Sequence, residues 1–347
     1  MGELLNVWNT FMTLPERMPV FVYVYLIMGF VLLIKGADYF VDGASAVARL
    51  LRVPSVVIGL TIVAMGTSAP EAAVSITAGM SGSNEIAISN VIGSNIFNLL
   101  MVIGVCAAIR AFATDMEILQ RDMPVNIAAG IVLLLFLLDG QINRLEGVFL
   151  LVVLIIYLIV VVRSALKSRG GKEEAVKTPE QESSTEETGK RLSIPFIFLY
   201  ILGGLLAIIW GGDLVVDNAQ RLALSFGMSP MLVGLTIVAL GTSLPELVTS
   251  IVASRKGESG LALGNAVGSC LFNILFILGL SSLLSPITMT GGSVTESITD
   301  TGILIGISIL MLIFSATGKR VSRTEGVIYV CLYAAYMAFA ILRCYVF

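Results

Sequence analysis

The sequence predicts an all-α integral membrane protein with ten transmembrane helices in two inverted five-helix repeats. Three observations carry that reading. The 347 residues are 56% hydrophobic and 13% charged, whereas a soluble chain has about a quarter of its residues charged. Apolar runs long enough to cross a bilayer recur along the chain. A polar motif is then duplicated at constant spacing. Mean hydropathy is +0.95. A net charge of −3 without a basic block outside the loops gives no footing for nucleic acid. Histidine is absent, which excludes Ser-His and Cys-His catalysis and imidazole metal ligands.

A spanning helix needs roughly 20 mostly apolar residues. Ten runs meet this length: about 20–42, 54–79, 86–109, 123–139, 146–162, 194–217, 229–253, 261–284, 299–315 and 325–342. The N-terminus opens with Glu3 and lacks a basic region ahead of its first apolar stretch, so it reads as an uncleaved first helix. The stretch 164–192 is rich in Lys, Glu, Ser and Thr and reads as a mobile linker. The expected division is therefore 1–163, a first repeat with its core at 59–104; 164–192, a cytoplasmic linker; and 193–347, a second repeat with its core at 234–279. Sixteen Lys and Arg fall in connections on the linker's side and four on the other. The positive-inside rule then places the linker in the cytoplasm and both termini outside, in a multi-pass cell membrane protein expected to sit in a prokaryotic plasma membrane.

Adding 175 to a residue number superposes the halves. Residues 59–71, GLTIVAMGTSAPE, match 234–246, GLTIVALGTSLPE, at eleven of thirteen positions, and 90–98, NVIGSNIFN, match 265–273, NAVGSCLFN. Gly36-Ala37-Asp38 meets Gly211-Gly212-Asp213, and past a loop the offset becomes 179, where Arg144 and Glu146 meet Arg323 and Glu325. Five spans per half is an odd number, so the halves face opposite ways. Inverted repeats of this kind place a substrate site between them near the bilayer midplane.

Glu71 and Glu246 are the acids within their apolar runs. A charge there costs at least ~2.5–3.5 kcal/mol and therefore faces a partner, water or a substrate. Each follows a proline, Pro70 or Pro245, which removes a backbone donor and frees a carbonyl one turn earlier. Thr67 and Ser68 lie four and three residues before Glu71, on one helix face, and Thr242 and Ser243 repeat this before Glu246. Asn98, with Ser94 one turn before it, and Asn273, with Ser269, add oxygens from the neighbouring runs. Carboxylates, amides and hydroxyls without thiolate or imidazole form a hard-cation list.

At these residues the chain resembles the cation/calcium exchanger superfamily, which includes the sodium/calcium exchangers. The resemblance covers both repeat cores and, through the ten-span plan, nearly the whole chain. It implies one ion site worked by alternating access, commonly with three sodium ions exchanged for one calcium. It further implies that Glu71 and Glu246 bind calcium and share sodium. Thr67, Ser68, Thr242, Ser243, Ser94 and Ser269 would supply sodium-site oxygens. The carbonyls of Ala64 and Ala239 would be ligands at the helix break, and Asn98 would complete the centre. Many sodium/calcium exchangers carry aspartate at the position of Asn273. The site here thus holds two formal negative charges instead of three, which leaves the coupling ion and stoichiometry open.

The expected function is secondary active antiport of calcium against sodium, with proton- or potassium-coupled exchange as the alternative and a cation channel as the weaker one. The expected partners are the lipid bilayer and the calcium and sodium ions themselves. No cofactor, nucleic acid or obligatory protein partner is expected. An intramembrane enzyme finds little support, since Ser68 and Ser243 lack a general base, and no GxxxxGK[ST] phosphate loop points to a pump. The four cysteines read as packing residues. Asp38, Asp42, Asp213 and Asp217 read as solvated helix-end or inter-repeat groups. The linker acids from Glu173 to Glu187 have no EF-hand spacing.

Overall fold

The computed structural model describes residues 20–175, 193–228, 237 and 239–346. Its first helix, α1 (Val20–Leu51), is followed by the broken pair α2 (Ser55–Thr67) and α3 (Ala69–Met80), then α4 (Asn84–Ile109), α5 (Ile118–Leu137) and α6 (Arg144–Ala175). The second half brings α7 (Ile194–Ser225), a short turn at Ala239–Gly241, α8 (Leu244–Arg255), α9 (Ser259–Leu284), α10 (Gly292–Gly318) and α11 (Arg323–Val346). Among the described residues eight helices are long and apolar enough to span a membrane, and a ninth is counted if the α2–α3 pair is one span. The remaining expected span, 229–253, falls partly outside the described residues, as does most of the expected linker.

Three boundaries differ most from the sequence reading. The helix expected at 20–42 runs on to Leu51, the one expected at 194–217 runs on to Ser225, and the one expected to stop near 162 continues to Ala175. Polar residues inside a membrane protein need not end a helix, because backbone hydrogen bonding is satisfied within the segment. At 32 residues, α1 and α7 are each about 48 Å long, well beyond a hydrocarbon core of ~30 Å. Asp38 and Asp42 therefore sit inside α1, not towards its end.

The centre of the bundle is α4 and α9, whose apolar windows are 72% and 78% buried, against 17–44% for the other spans. Around them lie α5, α6, α10 and α11, joined through one apolar cluster that includes Ile92, Ile103, Leu150, Leu278 and Tyr329. The long helices α1 and α7 lie against each other on one side. Exposed Ile27, Phe30, Ile155, Phe198 and Leu206 on the outer helices give the surface an apolar girdle suited to lipid.

Repeat-related contacts interchange throughout. A Cβ at Gly36 would lie 2.9 Å from the Gly204 carbonyl, and one at Gly211 would lie 2.8 Å from the Gly29 carbonyl. Gly29 and Gly204 are themselves 175 apart, as are Gly36 and Gly211, so the shift of 175 maps the Gly36–Gly204 contact onto the Gly211–Gly29 contact. Glycine is required at these crossings because the backbones touch. Two short antiparallel ribbons do the same. Strand β1 (Phe112–Ala113) pairs with β4 (Arg320–Val321), and β2 (Gln141–Ile142) pairs with β3 (Ile287–Thr288).

Candidate ion-binding site

The break between α2 and α3 bends the pair by 50°. Pro70 lies in the first turn of α3, where its missing N–H costs nothing, and Pro245 does so in α8. The residue before each helix is a serine, Ser68 or Ser243, a type that ordinarily accepts a hydrogen bond from its own helix. Neither side chain caps its helix here. The Ser68 hydroxyl instead donates to Glu246 Oε1 at 2.9 Å, and the Ser243 hydroxyl donates to Glu71 Oε1 at 2.9 Å. Each half thus binds the carboxylate of the other. Both glutamates stand in the first turn of their helices, next to the Ser68 or Ser243 position that opens each one.

Ser94 joins this centre by donating to Ser243 Oγ at 3.0 Å, since the Ser243 hydrogen is taken by Glu71, and Ser269 donates to Glu246 Oε1 at 3.5 Å. Asn98, one turn beyond Ser94, and Asn273, one turn beyond Ser269, each open a π-helical segment: Asn98–Val102 in α4 and Asn273–Leu278 in α9. Such wide turns recur at functional sites because they expose backbone and redirect side chains. The Asn273 amide donates to Asn95 Oδ1 at 3.0 Å, and the Asn95 amide donates to the Cys270 carbonyl at 3.1 Å, tying α9 to α4. Thr67 donates to Asn265 Oδ1 at 3.1 Å, and Thr242 reaches Asn90 Oδ1 at 3.5 Å. Their hydrogens are engaged while their lone pairs remain. Ala64 is buried, and its carbonyl accepts from the Ser68 N–H at 3.0 Å, leaving one lone pair. Ala239 begins the short turn before Gly241, and its side chain lies outside the described residues.

Glu71, Glu246, Asn98 and Asn273 are wholly buried. Glu71 Oε2, Glu246 Oε2, Asn98 Oδ1 and Asn273 Oδ1 have no hydrogen-bond partner, and the Asn98 amide nitrogen has none either. A buried carboxylate left half-satisfied is expensive. Four acceptor oxygens in this condition, two of them on carboxylates, suit a cation that arrives without a proton to give.

Sequence reasoning overlooked Asn90 and Asn265 as functional residues. The Asn90 amide donates to Ser75 Oγ at 2.9 Å and to the Glu71 carbonyl at 3.4 Å, and Asn265 repeats this with Ser250 at 3.0 Å and the Glu246 carbonyl at 3.4 Å. Each fixes the helix turn that carries a glutamate. The available signal was their place as first residue of the matched segments 90–98 and 265–273.

Fold and site together define a multi-pass membrane protein with a buried, oxygen-lined centre shared between two related halves. The family profile described as sodium/calcium exchanger protein matches residues 21–163 and 196–342. The chain belongs to the sodium/calcium exchanger protein family. It is 37% identical over 261 residues to the inner membrane protein YrbG of Escherichia coli (strain K12), covering 75% of this chain and 79% of that protein. It is 33% identical over 343 residues to the sodium/calcium exchanger MaX1 of Methanosarcina acetivorans, covering 91% and 97%. Among solved structures it is similar to the sodium-calcium exchanger NCX_Mj soaked without sodium and calcium, with a TM-score of 0.78 and 29% identity, covering 93% of this chain and 100% of that one. The protein is a cation/calcium antiporter of the membrane, a secondary transporter and not an enzyme.

Proposed function

We propose that the protein exchanges calcium for sodium by alternating access, at a single midplane site centred on Glu71 and Glu246. The observation that carries this reading is the set of wholly buried oxygens without hydrogen-bond partners on Glu71, Glu246, Asn98 and Asn273. Calcium takes six to eight oxygens in flexible geometry. These four, with the hydroxyls of Ser68, Ser243, Ser94 and Ser269 and the threonine lone pairs, make a matching inventory. Thr67, Thr242 and the carbonyls of Ala64 and Ala239 complete the proposed ligand set at the two helix breaks. Two relatives, MaX1 and NCX_Mj, are named as sodium/calcium exchangers, which favours sodium as the coupling ion over protons or potassium.

The proposed architecture is ten spans in two inverted repeats, 1–163 and 193–347, joined by a cytoplasmic linker at 164–192, with both termini outside. The ribbon pairings agree with it, since β1 and β4 belong to connections assigned to the cytoplasm, and β2 and β3 to connections assigned to the outside. Alternating access would come from sliding of the α1–α7 pair over the rest.

Calcium uptake into proteoliposomes, driven by an opposed sodium gradient under a clamped membrane potential, tests the function. Uptake that follows the sodium gradient and is lost on Glu71→Gln or Glu246→Gln supports it. Uptake that persists at high rates without any counter-ion would show a channel.

A further inference from the structure

The two halves correspond position by position, yet they are not covered alike. In the second half, Val252 and Ala253 of α8 and Leu261 of α9 are buried in one apolar cluster with Ala37, Phe40 and Val41 of α1. Subtracting 175 from these three gives Thr77, Ala78 and Ile86. All of them line an open crevice that Ser81 also borders. Helix α7, the counterpart of α1, barely touches α3. One half is sealed by its long helix and the other stands open.

Inner polar contacts follow the same division. Thr67 and Asn265, on the sealed side, are wholly buried and 3.1 Å apart. Thr242 and Asn90, on the open side, are half-buried and 3.5 Å apart.

A charge marks the sealed side. Lys256, just past the end of α8, donates to Asp42 Oδ1 at 2.7 Å and to the Asp38 backbone carbonyl at 2.8 Å, and lies 3.5 Å from Asp38 Oδ1. The counterparts of Asp38 and Asp42 are Asp213 and Asp217, so the acids are kept in both halves. The counterpart of Lys256 is Ser81, so the cation is not. Sliding α1 away from α8 breaks charge-assisted bonds, which are the stronger kind. Bringing α7 onto α3 sets a serine against two acids and forms no equivalent pair.

We infer that Lys256, Asp38 and Asp42 form a one-sided latch that holds α1 on α8 and biases the transporter towards the conformation in which the Thr77–Ser81–Ile86 crevice is open. The inference rests on the alternating-access reading above. The pair is partly exposed, with Lys256 29% and Asp42 48% accessible, so salt weakens the bias.

The test is the rate at which a charged, water-soluble maleimide reacts with single reporters, Thr77→Cys on the open side and Val252→Cys on the sealed side. Both are placed in a chain carrying Cys331→Ser and Cys344→Ser and studied as purified full-length protein. With Lys256 present, the reporter at 77 reacts fast and that at 252 slowly. Adding Lys256→Gln slows the first and speeds the second by about two- to tenfold, as does raising salt with Lys256 in place. The exchanged pair Lys256→Asp with Asp42→Lys restores the starting rates. Rates that stay unchanged, or both rise together as general loosening would cause, overturn the latch. Absence of sodium-driven calcium flux in the unsubstituted protein would instead overturn the exchange reading, and it would leave the labelling asymmetry in place.

Discussion

Ser68 and Ser243 stand where a helix would be capped, and each serves the carboxylate of the other half instead. That diversion ties together two glutamates 175 residues apart, the pair on which the proposed site is centred. Losing either carboxylate removes charge-assisted interactions of about 1.5–3 kcal/mol, so Glu246→Gln should weaken calcium binding about 10- to 100-fold, read by titration calorimetry on folded protein. Asn265→Leu would leave Thr67 and Ser250 without their shared partner. It should destabilise the fold by about 1–3 kcal/mol, seen as a lowered melting temperature in detergent. Asn273 offers a subtler change. Its amide donates to Asn95 Oδ1, and an aspartate there keeps that bond only when protonated. Asn273→Asp should therefore add a pH dependence to exchange: the bond survives at low pH, and a third negative charge appears as pH rises. Ten of the twelve proposed ligand positions could be picked out from the sequence because acids, amides and hydroxyls in apolar runs are conspicuous; the carbonyls of Ala64 and Ala239 came only from the family resemblance. Asn90 and Asn265 open the matched segments, but their role was overlooked because it depends on cross-repeat partners 152 and 198 residues away.

At the scale of elements, the helix breaks were legible and the helix lengths were not. Pro70 and Pro245 announce the breaks through their missing donors. The run of α1 to Leu51 and of α7 to Ser225 has no comparable signal, since Asp38, Asp42, Asp213 and Asp217 look like the ends of apolar runs. The π-helical turns at Asn98 and Asn273 also escape a sequence reading, because the residues after each asparagine are apolar on every side and hide the shift an extra residue makes. The α1–α7 crossing rests on Gly29, Gly36, Gly204 and Gly211. A Cβ at Gly211 would come within 2.6 Å of the Leu33 backbone nitrogen. Gly211→Val should force the helices apart and cost about 1–3 kcal/mol, measured as loss of melting temperature, whereas valine at exposed Gly203, which has open space around it, should be tolerated.

For the whole molecule, duplication gave away most of the plan. Eight long apolar helices and one bent pair account for nine of the ten expected spans among the described residues. The swapped glycine, strand and serine–glutamate contacts show that the halves meet reciprocally. The sequence shows Lys256 matched by Ser81, but not which half is covered, because that depends on how α1 and α7 are seated. Protease sites placed in the 164–192 linker and at the C-terminus should be cut from opposite sides of the membrane, with the linker cut from the cytoplasm; cutting of both from one side would refute the ten-span orientation.

The central claim is that the buried glutamate pair couples a calcium flux to a sodium gradient. The most direct measurement is calcium uptake into sodium-loaded proteoliposomes at clamped potential, comparing the natural protein with Glu246→Gln. The predicted result is uptake that rises with the outward sodium gradient, vanishes without it, and is abolished by Glu246→Gln. Uptake independent of that gradient, or undiminished in the variant, would contradict it.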